Sequence, residues 1–365
     1  MNPGYTLYGA QISYFTGKVR AYLRWKGIPF TEVPADASVY KTVIVPGIGF
    51  PVIPVVRTPD GALLQDSTEI IEALEAAHPR PTSVPPGGVQ RFVASLVELY
   101  ADEWLVIPAM HYRWHHNRDW AMRAFGELNA PEATADEQSE RGRRRAEPFA
   151  QAAVLLGAQP HMHAAIEASY EALLADLDRH FDEHDCVLGE RPCIADFALY
   201  GPLYAHQYRD PASGALMRRL APHLVAWVER LRDGTLGSDG DFASNDAVPS
   251  TLLPVLRRMM REQMPVLASS VVRLREWMGQ HPGELAVPRT LGMHAFELEG
   301  VPGERIVRPY SLWMLQRAQH AYAALTPDER TRADALLAQV GGDSFHRLPA
   351  APLLDRLGLG VRLRA

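Results

Sequence analysis

"PVIPVVRTPDGALLQDSTEIIEALEAAHP", residues 51–79, decides how the front of this chain folds. Two β-rich runs flank Pro59-Asp60-Gly61, where proline presets φ, aspartate can bond its own backbone and glycine tolerates a positive φ. That pattern is a β-hairpin. Immediately after it the periodicity becomes helical: Ile70, Ile71 and Leu74 fall on one face, acids occupy the first turn and Pro79 stops the helix. The stretch reads β-β-α.

Working outward, "YTLYG" (5–9) is short and aromatic-rich, as a strand is. "KVRAYLRWKGI" (18–28) sets Val19, Tyr22 and Leu23 on one helical face before Gly27 ends it, and "IPFTEVP" (28–34) is a second strand. The front unit is thus β-α-β followed by β-β-α, spanning residues 1–80. "HPRPTSVPPGG" (78–88) is a linker by its proline and glycine content. From 89 to 125 and from 160 to 232 apolar residues recur every three or four positions, which predicts an all-α domain over 89–232. The polar stretch "NAPEATADEQSERGRRRAEP" (129–148) is expected as a long loop within it. A second low-complexity bridge, "GTLGSDGDFASNDAVPS" (234–250), leads to an extension over 250–365. Two further helices are expected there, then a hairpin in "HAFELEGVPGERIVRPY" around Val301-Pro302-Gly303. A last helix follows, with Thr326 as N-cap, Pro327 at its first position and Glu329 closing a capping box. No internal repeat is present.

The composition narrows the function. The chain has 365 residues, 47% hydrophobic and 22% charged, as a multidomain globular protein does. A net charge of -6 gives no global positive field for nucleic acid or an anionic membrane, so neither is expected as a partner. Two cysteines, Cys186 and Cys193, supply neither a disulfide framework nor a thiolate zinc site and fit a reducing compartment. No apolar run approaches about 18 residues and the N-terminus lacks a signal-peptide pattern, so a cytoplasmic protein is expected.

Four strings in order resemble the glutathione transferase family: "SYFTGKVRAYLRWKGIPF", "VIPVV", "DGALLQDSTEII" and "GERPCIADFALYGPL". They are similar, respectively, to the family's first-helix signature, its cis-proline segment, its acidic-Ser-Ile helix start and its C-domain capping box; the resemblance they carry covers about 230 residues. The resemblance implies an α+β thioredoxin-like N-terminal domain, a mainly α-helical C-terminal domain, and beyond it an extension with helices and a short β-hairpin. It implies glutathione as co-substrate, a small hydrophobic electrophile as partner, and a homodimer. Ser13 aligns with the family's thiol-contacting Ser or Cys; Tyr8 and Thr16 are the alternatives. Being Ser and not Cys, position 13 implies conjugation or thiolytic addition rather than disulfide exchange. Ile53, before Pro54, is placed to pair with the cysteinyl backbone, and Asp66 with Ser67 to hold the γ-glutamyl end at a helix N-terminus. A charge-assisted hydrogen bond of about 1.5–3 kcal/mol lowers a thiol pKa by about one or two units.

The departures are specific. Where the family often carries Lys or Gln two residues before its cis-proline, this chain has Val52, with Lys41 as a possible substitute for holding the glycine carboxylate. The C-domain cap is Cys193, a weaker acceptor than Ser or Thr, with Asp196 in place. Two other functions therefore stay open, a non-catalytic carrier or scaffold with a decayed glutathione site, and a glutathione-dependent isomerase or ether-cleaving lyase.

Three more patterns stand out. "HYRWHH" puts His111 and His115 at i and i+4, a zinc-compatible spacing, but no nearby acid completes a site and "HMH" (161–163) is remote in sequence, so no metal is expected. His111, Tyr112 and Trp114 are instead candidates for an electrophile pocket, with plain helix packing as the alternative. "RGRRRAE" (141–147) reads as a solvated basic run, and "RPYSLWMLQRA" (308–318) as core, with Arg308 and Tyr310 able to close over the site.

Overall fold

Leu7 is buried on one face of a five-residue strand, β1 (Tyr5–Gly9), and Tyr8 on the other, so this strand must be covered on both sides. In the computed structural model, which describes residues 4–364, it is the inner strand of a sheet of order β2-β1-β3-β4. β2 (Phe30–Pro34) runs parallel to β1; β3 (Val55–Arg57) and β4 (Leu63–Gln65) follow antiparallel, forming the expected hairpin with Val55 opposite Gln65. The crossover helix α1 (Tyr14–Trp25) buries Val19, Tyr22 and Leu23 completely, and bidentate bonds of 2.6 and 2.7 Å from Arg20 to Glu32 tie it to β2. The other face of the sheet is covered by α2 (Ala37–Val39), a π-helical turn (Tyr40–Ile44) and α3 (Val45–Ile48), a stretch to which the sequence analysis assigns no element. Ile44 packs there against Tyr8, Ala35 and Val55. α4 (Ser67–Ala77) completes the unit with Ile70, Ile71 and Leu74 buried.

The helical region runs through α5 (Gly88–Glu103), α6 (Val106–His111), a second π-helical turn (Tyr112–His116), α7 (Arg118–Asn129) and α8 (Ala135–Leu155). It continues with α9 (His163–Glu183), α10 (Ile194–Pro202), a third π-helical turn (Leu203–Tyr208), α11 (Pro211–Leu220) and α12 (Pro222–Asp233). The expected long loop over 129–148 is corrected: only 130–134 are non-helical, and Thr134 opens α8 with a capping box to Glu137. The helix escapes detection because its contact face is made of small residues. A Cβ on Gly142 would stand 2.0 Å from the Met122 carbonyl oxygen, and one on Gly126 2.0 Å from that of Gln138, so α7 and α8 meet backbone to backbone with no apolar stripe. At α10, Asp196 accepts from the N–H groups of Cys193 and Val187, both at 2.9 Å, and so carries the cap despite the thiol.

The extension contributes α13 (Leu253–Glu262), α14 (Met264–Gln280), β5 (Ala286–Val287), β6 (Met293–Leu298) and β7 (Val301–Ile306). α15 (Tyr310–Ala323), α16 (Pro327–Gln339), α17 (Asp343–His346), β8 (Leu354–Leu357) and β9 (Gly360–Leu363) follow. The β6–β7 hairpin forms, but its turn is Glu299-Gly300, both at positive φ, while Val301-Pro302-Gly303 lies in β7. β5, β9 and β8 make a small antiparallel sheet. The capping box at Thr326 and Glu329 is present as expected. No helix among the described residues is long and apolar enough to cross a membrane.

All three regions meet around one buried cation. Lys18 of α1 is inaccessible, and its ammonium donates to Glu98 at 2.7 Å, Asp102 at 2.6 Å and Thr68 at 3.1 Å. Glu103, one residue on, is taken by Ser311 and Arg308 of the extension, whose Arg317 also pairs with Glu72 of α4. Burial pushes the Asp102 carboxyl up to about 7 against the pull of Lys18. The folded state therefore holds a proton that the unfolded chain releases, and this site loses stability as pH rises from about 4 to about 7. Asp102→Asn is expected to flatten that slope in urea unfolding measured across this window. Lys18→Met, which strands two buried carboxylates, is expected to lower the unfolding free energy at pH 7 by about 3–5 kcal/mol.

Candidate functional site

β1 ends at Gly9, and the chain must turn before α1 can start. The Ser13 N–H closes that turn on the Ala10 carbonyl at 3.1 Å, and Ser13 then caps α1, its Oγ accepting from the Thr16 N–H at 3.3 Å. This leaves the half-buried hydroxyl with its own proton free to donate. Thr16 is fully buried, wedged against Gly9, with its hydroxyl turned inward toward the Ala10 N–H. Tyr8 lies under α2 and α3, with the Arg57 guanidinium 5.2 Å from its ring centroid. Of the three hydroxyls named from the sequence, only that of Ser13 sits at the opening of the turn.

The turn is held from behind by Arg113, a residue that sequence reasoning did not single out. Its guanidinium is buried and uses every donor: Nε and Nη2 bind Asp210 at 2.8 Å each, Nη1 reaches the Ile12 carbonyl at 2.8 Å and His206 at 3.0 Å, and Nη2 also meets the Ala205 carbonyl. One side chain thus links the second π turn, the third π turn and the residue before Ser13. Nothing in the local pattern signals it, because its partners are about a hundred positions away.

A cleft of about 310 Å³ opens beside this turn. Gly9, Gln11 and Ile12 form one wall, Ala124 and Leu128 of α7 the other, and Arg209 stands at the edge. His111, Tyr112 and Trp114 do not line it. They are 1%, 5% and 7% exposed inside the helical region, Tyr112 against Tyr170 and Trp114 against Phe125.

At the same end of the sheet, where Val55 of β3 stands opposite Tyr8, the Ile53–Pro54 peptide is cis, and neither the N–H nor the C=O of Ile53 is used in a hydrogen bond among the described residues. Asp66, at φ 81°, caps α4 through the N–H groups of Thr68 and Glu69 at 2.9 and 3.3 Å, and Ser67 is the buried first residue of that helix. The extension reaches this corner. Tyr310 donates to the second Asp66 oxygen, while Arg356 binds Gln65 Oε1 at 2.6 Å and Glu69 at 2.5 Å. Lys41 is exposed on the first π turn and Val52 is half-buried. The basic run 141–147, read as a solvated loop, is helical instead, and its Arg145 stacks on Tyr40 beside Lys41 at 5.4 Å. Two cations therefore stand on that flank where the sequence showed one.

The reading of "HYRWHH" also changes. His111 Nε2 and His116 Nε2 both reach Glu167 Oε1, at 2.8 and 2.7 Å, and the His163 ring centroid is 4.5 Å from that of His111. An acid and a remote histidine do join this cluster, brought by the first turns of α9.

Residues 7–82 match the glutathione S-transferase N-terminal domain and residues 159–233 the glutathione S-transferase C-terminal domain; neither match extends past 233. No curated protein matches the chain. Solved structures similar to it include the beta-etherase LigF from Sphingobium sp. strain SYK-6, at 18% identity over 64% of this chain and 95% of that one, with a TM-score of 0.47. Another is rice GST1 in complex with glutathione, at 20% identity, 63% and 87% coverage and a TM-score of 0.40. A glutathione S-transferase of Methylobacterium radiotolerans in complex with glutathione sulfonate is 24% identical over 66% of this chain and 96% of that one, with a TM-score of 0.36.

Arg113→Lys keeps the charge but loses the planar fork. Faster amide hydrogen exchange at residues 12–16 and a lower melting temperature are expected, with exchange elsewhere in the front sheet unchanged.

Proposed function

Carrying both domains of the glutathione S-transferase family, the chain is a member of it, and we propose that it activates the glutathione thiol for attack on a small hydrophobic electrophile. The observation that carries this reading is the Ser13 hydroxyl: it accepts from the Thr16 N–H, which leaves its own proton free to donate, and it follows directly on Gln11 and Ile12, which line the cleft.

Extended tripeptide binding follows from groups left available nearby. The free backbone of Ile53 pairs with the cysteinyl unit, as an added strand does at a sheet edge. The first turn of α4 at Ser67 takes the γ-glutamyl carboxylate, and Asp66 shares its oxygen with the γ-glutamyl ammonium and Tyr310. Lys41, helped by Arg145, takes the glycyl carboxylate that Val52 cannot. The thiol then lies at Ser13, where the hydroxyl and the N-terminal end of α1 both favour the anion. The thiol proton leaves to solvent, the thiolate sulfur forms a bond to the electrophilic carbon, and the displaced group departs with the bonding pair. The electrophile rests against Ile12, Ala124 and Leu128, the apolar part of the cleft. Tyr8 and Thr16 support the strand and the helix entry and do not touch the thiol. A homodimer and a cytoplasmic location belong to the same reading.

A second reading, a carrier that no longer turns over, is favoured by one observation: Tyr310 already occupies an Asp66 oxygen and Val52 stands where the family often has a cation. Calorimetric titration of glutathione, followed by the ultraviolet absorbance of the bound thiolate against pH, separates the two. Wild type is expected to bind with a depressed thiol pKa. Ser13→Ala should keep the affinity, raise the bound thiol by about one to two units and slow conjugation roughly 10–100-fold. No binding at millimolar glutathione would overturn the enzyme reading.

A further inference from the structure

Away from Ser13, four histidines and one glutamate converge where the second π turn faces α9. On an α-helix only His115 would share a face with His111. The π turn, closed by the Asn117 N–H on the Tyr112 carbonyl at 3.1 Å, widens the ring to i→i+5 and brings His116 round beside it. From α9, His163 and Glu167 stand one turn apart and meet this face. Two imidazole nitrogens share a single acceptor oxygen, Glu167 Oε1, at 2.8 and 2.7 Å. The rings of His115 and His163 lie close by, their centroids 4.1 Å apart.

This cluster is poorly satisfied as a purely structural one. His111 is 1% exposed, yet its Nδ1 has no hydrogen-bond partner. Among the described residues no lysine or arginine hydrogen-bonds to Glu167, so the carboxylate faces only histidines.

We propose that His111, His116 and Glu167 bind one divalent transition-metal ion of the zinc type, with a remaining coordination position open to water. Their ligand atoms already lie within 4.8 Å of one another. Zinc bonds of about 2.0–2.2 Å to nitrogen and oxygen require neighbouring ligands roughly 3.3 Å apart in a tetrahedron, so the ion enters when the hydrogen-bonded groups part by about half an ångström. His116 and Glu167 have room to do this, their side chains being 35% and 33% exposed. His111 then moves its proton from Nε2 to Nδ1 and releases none. Two nitrogens and one carboxylate select borderline ions over calcium or magnesium, which prefer all-oxygen shells. The ion would staple the π turn to α9, and none of its ligands takes part in the glutathione reading.

The test uses the full chain, stripped with a chelator and titrated with zinc chloride or cobalt chloride. One ion per chain, a visible cobalt spectrum of low coordination number and a zinc-dependent rise in melting temperature are expected, with no rise from magnesium. His116→Ala and Glu167→Gln, both at partly exposed positions, should each weaken zinc binding roughly tenfold or more, while His346→Ala, in the extension, should not; circular dichroism checks that the variants are folded. Undiminished binding in the His116→Ala/Glu167→Gln double variant would mean an adventitious ion only and would overturn the proposal. So would no binding at micromolar zinc, or an equal response to magnesium.

Discussion

The ammonium of Lys18 is the constraint around which the molecule is assembled. It has no access to water, so it must be neutralised by groups that arrive from elsewhere: Thr68 at the start of α4 and Glu98 and Asp102 on α5. Those partners fix how the front sheet sits on the helical region. They also leave a surplus, because Glu98, Asp102 and Glu103 are three buried acids around one lysine. The extension supplies what is missing, with Arg308 and Ser311 on Glu103 and the charge of Arg317 acting on Glu98. The last hundred residues are therefore part of the electrostatic balance of the interior and not an appendage laid over a finished fold.

The same logic governs the corner at Asp66. A helix start with one aspartate oxygen engaged by Thr68 and Glu69 leaves the other oxygen seeking a donor, and Tyr310 provides it, while Arg356 caps the edge of β4 through Gln65. At the same end of the sheet, Arg113 does for the Ser13 turn what Lys18 does for the domain contact: a buried cation, fully bonded, holds three segments in register. The candidate site is thus a small half-buried hydroxyl positioned by side chains that are themselves immobilised. This is the arrangement that precise placement of a reacting group requires.

What could be read from the sequence was what is written locally. The hairpin before α4, the apolar face of α1 and the capping boxes at Thr326 and Asp196 each depend on residues within a few positions, and each is present. The same is true of Ser13 as a helix cap. What was missed depends on distance or on an unusual period. α8 has no apolar stripe because glycine lets backbones touch. Arg113 and Asp210, Lys18 and Asp102, and Arg356 and Glu69 are pairs that only the folded chain makes. His116 was passed over because an i+4 rule does not see i+5, and Glu167 because the histidines it bonds, His111 and His116, lie more than fifty positions before it.

That i+5 spacing bears on how the chain tolerates insertion and deletion. The turn Tyr112–His116 is an α-helix with one residue too many, the surplus being absorbed locally as a wider loop of backbone. Deleting a single residue there would restore the regular i→i+4 ladder and remove the widened turn that brings His116 beside His111. The contact of His116 with Glu167 would go with it. A one-residue gap at this point would thus cost more than a surface substitution, whereas the segment at 131–134 can change length with little consequence. Between relatives of this chain, length variation should therefore collect in that segment and stop short of the turn.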